Sequence, residues 1–290
     1  MKVKYGIHYI YWQKDLQCKS YVPYVEKAGK LGFDVLELGD YLILNMSEAQ
    51  TEELARAAKE YDVELAIGLD PPQEMSLTDM REENRNRGVL FYEKVMPRLE
   101  KLGIHSLGGN LLNGVPQLPS REYAAREWEY GIDSIRRIAD RASAYGIGIN
   151  IEICNRYESH ILNTAAQGAE FVKETERDNV KILLDTFHMN IEEDSFYEAF
   201  LTAGDYLGHV HLGENHRRLP GKGHLPWTEI RGGLKAADYH GIMTMEPLVS
   251  SGGELGDCCR VWRDMTDHAD ETQMDLAAGE ALRFIKDLFS

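Results

Sequence analysis

The chain has 290 residues, 43% hydrophobic and 28% charged, an ordinary globular composition. Its 32 Lys+Arg against 48 Asp+Glu leave a formal charge of −16. So strong a deficit repels nucleic-acid backbones and anionic membrane surfaces, which excludes both as expected partners.

No apolar run approaches the ~20 residues of a membrane-spanning helix. The opening Met1-Lys2-Val3-Lys4-Tyr5-Gly6 runs straight into a strand-like segment with no leader core, and Cys18, Cys154, Cys258 and Cys259 form no C-x-x-C pair. The expectation is a cytoplasmic protein with free thiols.

In chain order, a β-rich run over residues 5–10 comes first. Then one joint recurs, in which a helical stretch ends in Gly, Asn or Asp and a strand-like run follows. Gly32 precedes 35–38, Asp62 precedes 63–67, Gly103 precedes 104–107 and Gly146 precedes 147–153. Asn179 precedes 180–184, Asp205 precedes 206–212 and Gly241 precedes 242–245. Gly or Asn just past a helix fits a left-handed C-cap. Ala124, Trp128, Ile132, Ile135, Ala139 and Ala142 keep the three- and four-residue steps of one apolar helix face, and 47–58 and 274–289 behave similarly.

Eight strands alternating with helices fit a doubly wound open sheet or a closed barrel. No G-x-G-x-x-G follows the first strand. The spacing, about 30 residues per unit, favours a single α/β domain over 1–290, a (β/α)8 TIM barrel.

Chemistry in such a barrel sits at the C-terminal strand ends. Those ends carry Glu152, Asp185, His211 and Glu246 on strands five to eight. In Asn150-Ile151-Glu152-Ile153 and His209-Val210-His211-Leu212 the polar residues share one parity, which places them inside the barrel. Three carboxylates and one imidazole form an oxygen-rich set suited to Mn2+, Co2+ or Mg2+, with Zn2+ also admissible. Empty, the carboxylates would repel one another; a dication removes that cost. Nearby, His188 and Arg217 are candidate donors to an oxyanion. Arg156, Glu214 and Arg218 read equally as polar groups of the site or as solvated-loop or ion-pair residues, and Cys154 reads as buried packing.

These residues lie in longer motifs. Glu152-Ile153-Cys154-Asn155-Arg156-Tyr157-Glu158 resembles the E-x-x-N-R-[FY]-E segment of the ketose 3-epimerases, the D-tagatose and D-psicose (D-allulose) 3-epimerases. The run from Asp185-Thr186-Phe187-His188 to Asp194 resembles their D-T-F-H-M-N-I-E-E-D stretch. Gly208-His209-Val210-His211, Pro220-Gly221-Lys222-Gly223, Met245-Glu246-Pro247 and Val261-Trp262-Arg263-Asp264 are similar to further family segments. The resemblance implies a xylose isomerase-like barrel with one Mn2+ or Co2+ per subunit, and inversion at C3 of a free ketose. It implies ligand roles for Glu152, Asp185, His211 and Glu246, and substrate contacts for Glu158, His188 and Arg217. It also implies a homodimer or homotetramer. On this reading Glu152 and Glu246 are also the catalytic pair, moving the proton on opposite faces of the sugar. The alternative is an aldose–ketose isomerase, which usually needs a second metal set that the sequence does not display.

The chain departs from the family around the far end of the sugar. His8 stands where an aromatic residue is usual, making it a substrate-binding candidate or a core histidine. Leu16 replaces a tryptophan, and Leu248 stands where phenylalanine is common. Leu69-Asp70-Pro71-Pro72 and Asn110-Leu111-Leu112-Asn113-Gly114-Val115 replace a glycine-rich and an aromatic-rich loop.

Overall fold

The computed structural model describes residues 2–39, 42–113 and 124–290; Gly114 and Val115 of the altered loop lie outside them. Among the described residues eight parallel strands close into a barrel in sequence order. They are β1 (Lys4–His8), β2 (Val35–Leu38), β3 (Glu64–Gly68), β4 (Ser106–Gly109), β5 (Gly148–Ile153), β6 (Val180–Asp185), β7 (Leu207–Leu212) and β8 (Ile242–Met245). Closure is made by β1 against β8, with Gly6 beside Thr244.

The expected joints are mostly present. Gly32 ends the helix Val22–Leu31 at φ 87, the left-handed C-cap. In two joints the left-handed residue falls earlier than expected, at Glu176 and Asp238, because it must directly follow the last helical turn. The first strand is shorter than residues 5–10. Nδ1 of His8 accepts the Ile10 N–H and turns the chain into a 3-10 helix, Tyr9–Trp12.

Helix Ala124–Ser143 presents the predicted face: Ile135, Ala139 and Ala142 are fully buried, and Trp128 packs edge-on against Phe171. Each buried isoleucine contributes roughly 1.5–3 kcal/mol relative to exposure. Helices Glu48–Glu60 and Glu271–Phe289 start with capping boxes, Ser47 with Gln50 and Asp270 with Gln273, which satisfy orphan N–H groups at their ends.

The barrel interior is unusually polar. Layers of branched apolar side chains normally fill it. Here Asn150 donates to Ser106 Oγ at 2.9 Å, and His209 Nε2 lies 2.8 Å from Thr244 Oγ1. Glu37 is fully buried on β2. These groups sit inside the barrel beneath the strand ends.

Candidate active site

Glu152 on β5, Asp185 at the end of β6, His211 on β7 and Glu246 just past β8 converge, each offering one ligand atom within 4.8 Å of the others. His211 Nδ1 lies 3.4 Å from Glu246 Oε2 and 3.8 Å from Glu152 Oε1. Asp185 serves two ends: Oδ1 caps the helix Thr186–Glu192 by accepting the Phe187 N–H at 2.8 Å, which leaves Oδ2 turned into the cluster.

The donor set fits a divalent cation. Nδ1 of His211 is buried without a hydrogen-bond partner, while its Nε2 lies 3.1 Å from Glu37 Oε1. An ionised carboxylate only accepts, so Nε2 carries a proton. Nδ1 therefore faces carboxylates and needs positive charge between itself and them. Burial alone would lower the His211 pKa, but Glu37 and Glu246 raise it well above the usual value. A cation held by the four groups meets the same demand.

Arg217 neutralises part of the cluster. Its Nη2 pairs with Glu246 Oε2 and lies 3.3 Å from Asp185 Oδ2. Burial would raise the Glu246 carboxyl, but Arg217 and His211 hold it well below the ordinary range. For Asp185 burial wins over Arg217 and His188, and its pKa is raised. Arg217 takes a left-handed backbone, φ 58, inside a turn in which its N–H donates to Glu214 O and its carbonyl accepts from Leu248 N. Its guanidinium lies 4.6 Å from the Phe187 ring centroid. A non-glycine residue in this conformation is held there by its surroundings, as functional sites often require.

The other predicted contacts reach the same mouth. Asn155 aims its backbone N–H and its side-chain amide at His188 Nδ1, at 3.2 and 2.7 Å. Nε2 of His188 therefore carries the proton, and it lies 3.4 Å from Glu152 Oε1. Asn155 also donates to Glu158 Oε1 at 3.1 Å, holding this half-exposed carboxylate 4.0 Å from His188 Nδ1. His8 is buried on β1 and feels the charges of Glu246, Glu37, His211 and Glu152. Burial lowers its pKa, so the ring is neutral; with Nδ1 accepting from Ile10, Nε2 is its donor. Gly39 makes room for that ring: a Cβ at position 39 would stand 2.7 Å from Nε2.

Three flanking residues are structural. Arg156 forks onto Glu192, Arg218 pairs with Asp267, and buried Glu214 clamps its loop through Gly221 N and Trp227 Nε1. Burial raises the Cys154 pKa well above the usual value, so it remains an inert thiol. Sequence reasoning missed Glu37, which stands in the uniformly buried strand β2. It also missed what Asp70 does. Asp70 is an exposed residue whose carboxylate turns inward, Oδ1 accepting the Asn110 N–H at 2.8 Å. The protein walls around it push its carboxyl up to about 7, with repulsion from Glu152 adding. Glu37, His209 and His211 form a second group with metal-ligand chemistry.

A family model described as xylose isomerase-like TIM barrel matches residues 25–288. The chain is 43% identical over 283 residues to a D-psicose 3-epimerase of Agrobacterium fabrum, covering 97% of this chain and 98% of that one. This chain belongs to the ketose 3-epimerase family. It is accordingly an isomerase of the carbohydrate-epimerase class. An L-ribulose 3-epimerase of Methylomonas sp. is 31% identical, covering 98% of this chain and 97% of that one. A crystal structure of a D-psicose 3-epimerase in the presence of D-fructose superposes with a TM-score of 0.95 at 42% identity, covering 99% of each chain. Among the described residues no helix is long and apolar enough to cross a membrane.

Proposed function

We propose that this epimerase inverts C3 of a free ketose with one bound divalent cation, Mn2+ or Co2+ in preference to Mg2+. Glu152, Asp185, His211 and Glu246 would hold the ion, which when bound supplies a Lewis acid to the sugar oxygens. The hydrogen at C3 is acidic because C2 is a carbonyl, and its removal leaves an enediolate. Glu152 and Glu246 stand on non-neighbouring strands. One takes the C3 proton and the other returns a proton to the opposite face, with roles exchanged in the reverse reaction. His188 Nε2–H and the Arg217 guanidinium donate to the oxygens at C1 and C2, where negative charge develops. Glu158 accepts from a hydroxyl at that end, and His8 donates to the remainder of the sugar.

The observation that carries this reading is the convergence of four ligand atoms within 4.8 Å, with two catalytic-type glutamates among them. The relatives' names give psicose and L-ribulose; inversion at C3 pairs these with fructose and xylulose, and tagatose and sorbose are the analogous hexose pair. A single domain over 1–290, a homodimer or homotetramer, and a cytoplasmic location complete the proposal.

The test is incubation of metal-stripped protein with D-fructose, D-tagatose or D-ribulose in heavy water, with and without Mn2+ or Co2+. The expected result is metal-dependent formation of the C3 epimer carrying solvent deuterium at C3. An aldose product that retains the substrate's own hydrogen would mark an isomerase instead, and inertness toward every ketose would defeat the reading.

A further inference from the structure

Beneath the ligand cluster lies a chain of buried polar groups that the proton transfers do not use. Glu37 sits with no exposed surface in the middle of the barrel. Its Oε1 is 3.1 Å from His211 Nε2 and its Oε2 is 3.3 Å from His209 Nε2. His209 Nε2 in turn lies 2.8 Å from Thr244 Oγ1, and the two imidazoles stand edge to face, 5.1 Å between centroids. Gly68 of β3 adjoins the carboxylate, with a would-be Cβ 3.5 Å from Oε1.

We propose that Glu37, steadied by His209, is a positioning residue that fixes the tautomer and tilt of His211, so that Nδ1 alone is presented to the cation. The inference rests on His211 being a ligand, as proposed above. A buried carboxylate is costly unless hydrogen-bonded on both oxygens. Here Oε1 is in hydrogen-bond reach of His211 Nε2, while Oε2 lies 3.3 Å from His209 Nε2 without a hydrogen bond, so flipping the His211 ring would leave the carboxylate with no hydrogen-bond partner at all among the described residues. A carboxylate behind a ligating histidine fixes its orientation and raises the basicity of the nitrogen that binds the ion.

The same three residues have the chemistry of a second cation site, but the geometry opposes that use. An ion among Glu37, His209 and His211 would take Nε2 of His211, which forces the proton onto Nδ1 and blocks the front cluster. All three are 98% or more buried, which leaves no path for the water that would complete a fourth ligand position.

The experiment is titration calorimetry of metal-stripped protein with Mn2+ and Co2+, for wild type, Glu37→Gln, Glu37→Asp and His211→Ala. The expected results are one ion per chain in wild type and about 10- to 100-fold weaker binding in Glu37→Gln, with part of the loss recovered in Glu37→Asp. Unchanged affinity in Glu37→Gln while His211→Ala weakens binding would overturn the inference and leave the metal site standing. Unchanged affinity in both would instead remove His211 from the site. Two ions per chain would establish the second-site reading and overturn this one. Should the Glu37 variants fail to fold, nitrogen-15 histidine spectra of wild-type protein loaded with diamagnetic Mg2+ or Zn2+ decide the matter. A protonated Nε2 on His211 supports the proposal, and a metal-bound Nε2 refutes it.

Discussion

Arg217 and Glu246 form an ion pair in the barrel mouth, and the same guanidinium nitrogen lies 3.3 Å from Asp185. One fixed cation thus serves two of the four candidate ligands. Removing it by Arg217→Ala leaves crowded carboxylates without their partner, a change on the order of 3 kcal/mol for a buried pair. The metal-free variant should melt below wild type. Added Mn2+ should then raise its Tm by more than it raises that of wild type, because the ion replaces the lost charge. Equal Mn2+ gains in scanning calorimetry would show that Arg217 does not compensate the cluster.

Glu246 is held ionised by Arg217 and His211, as a base must be before it takes a proton. Glu246→Gln and Glu152→Gln should each lower kcat by ~10²-fold or more, the scale of a lost general base. Metal content, read by elemental analysis, must accompany the kinetics. Near-normal turnover with the ion retained would end the two-glutamate assignment.

His8 and Gly39 are mutually fitted, so their variants should change substrate binding rather than chemistry. His8→Phe deletes one neutral donor, worth ~0.5–1.5 kcal/mol, or about 2- to 12-fold in KM with kcat little changed. Gly39→Ala pushes a methyl group into the imidazole and should raise KM in the same direction. Unaltered KM values for every ketose turned over would return His8 to the barrel core.

Asp70 gives the mouth a charge that changes near neutrality. Its carboxyl is raised from 3.8 to about 7 by the surrounding protein walls and by Glu152. Folding therefore favours the neutral form. That contribution is fully present below pH 3.8 and is lost as pH rises through about 7. Asp70→Asn should flatten the fall in Tm across this window and leave the protein more stable than wild type at pH 8. Parallel Tm profiles for the two proteins would dismiss the coupling.

The sequence made the barrel legible because each β-run follows a helix stop, and the four candidate ligands because strand parity singles out polar residues at strand ends. Glu37 escaped for a local reason and a distant one. Val35, Leu36 and Leu38 are buried on both sides of it, so β2 shows no alternation. Its partner His211 is 174 residues away. Asn155 looked like one more polar loop residue; only the fold reveals that it orients His188 and Glu158 together. The end of β1 was misplaced because a turn made by the His8 ring is invisible in β-propensity. Asp70 reads in the sequence only as part of the altered loop 69–72, because its effect comes from the protein around it.

The polar spine of the barrel also constrains how the site can change over time. A chain that loses His211 loses a candidate ion ligand and also leaves the buried Glu37 carboxylate with only the more distant His209 beside it. Such a lineage would pass through a poorly folding intermediate before any new chemistry could arise. The interior of the barrel thereby acts as a ratchet, letting the rim drift toward other sugars while the His211 imidazole stays where it is.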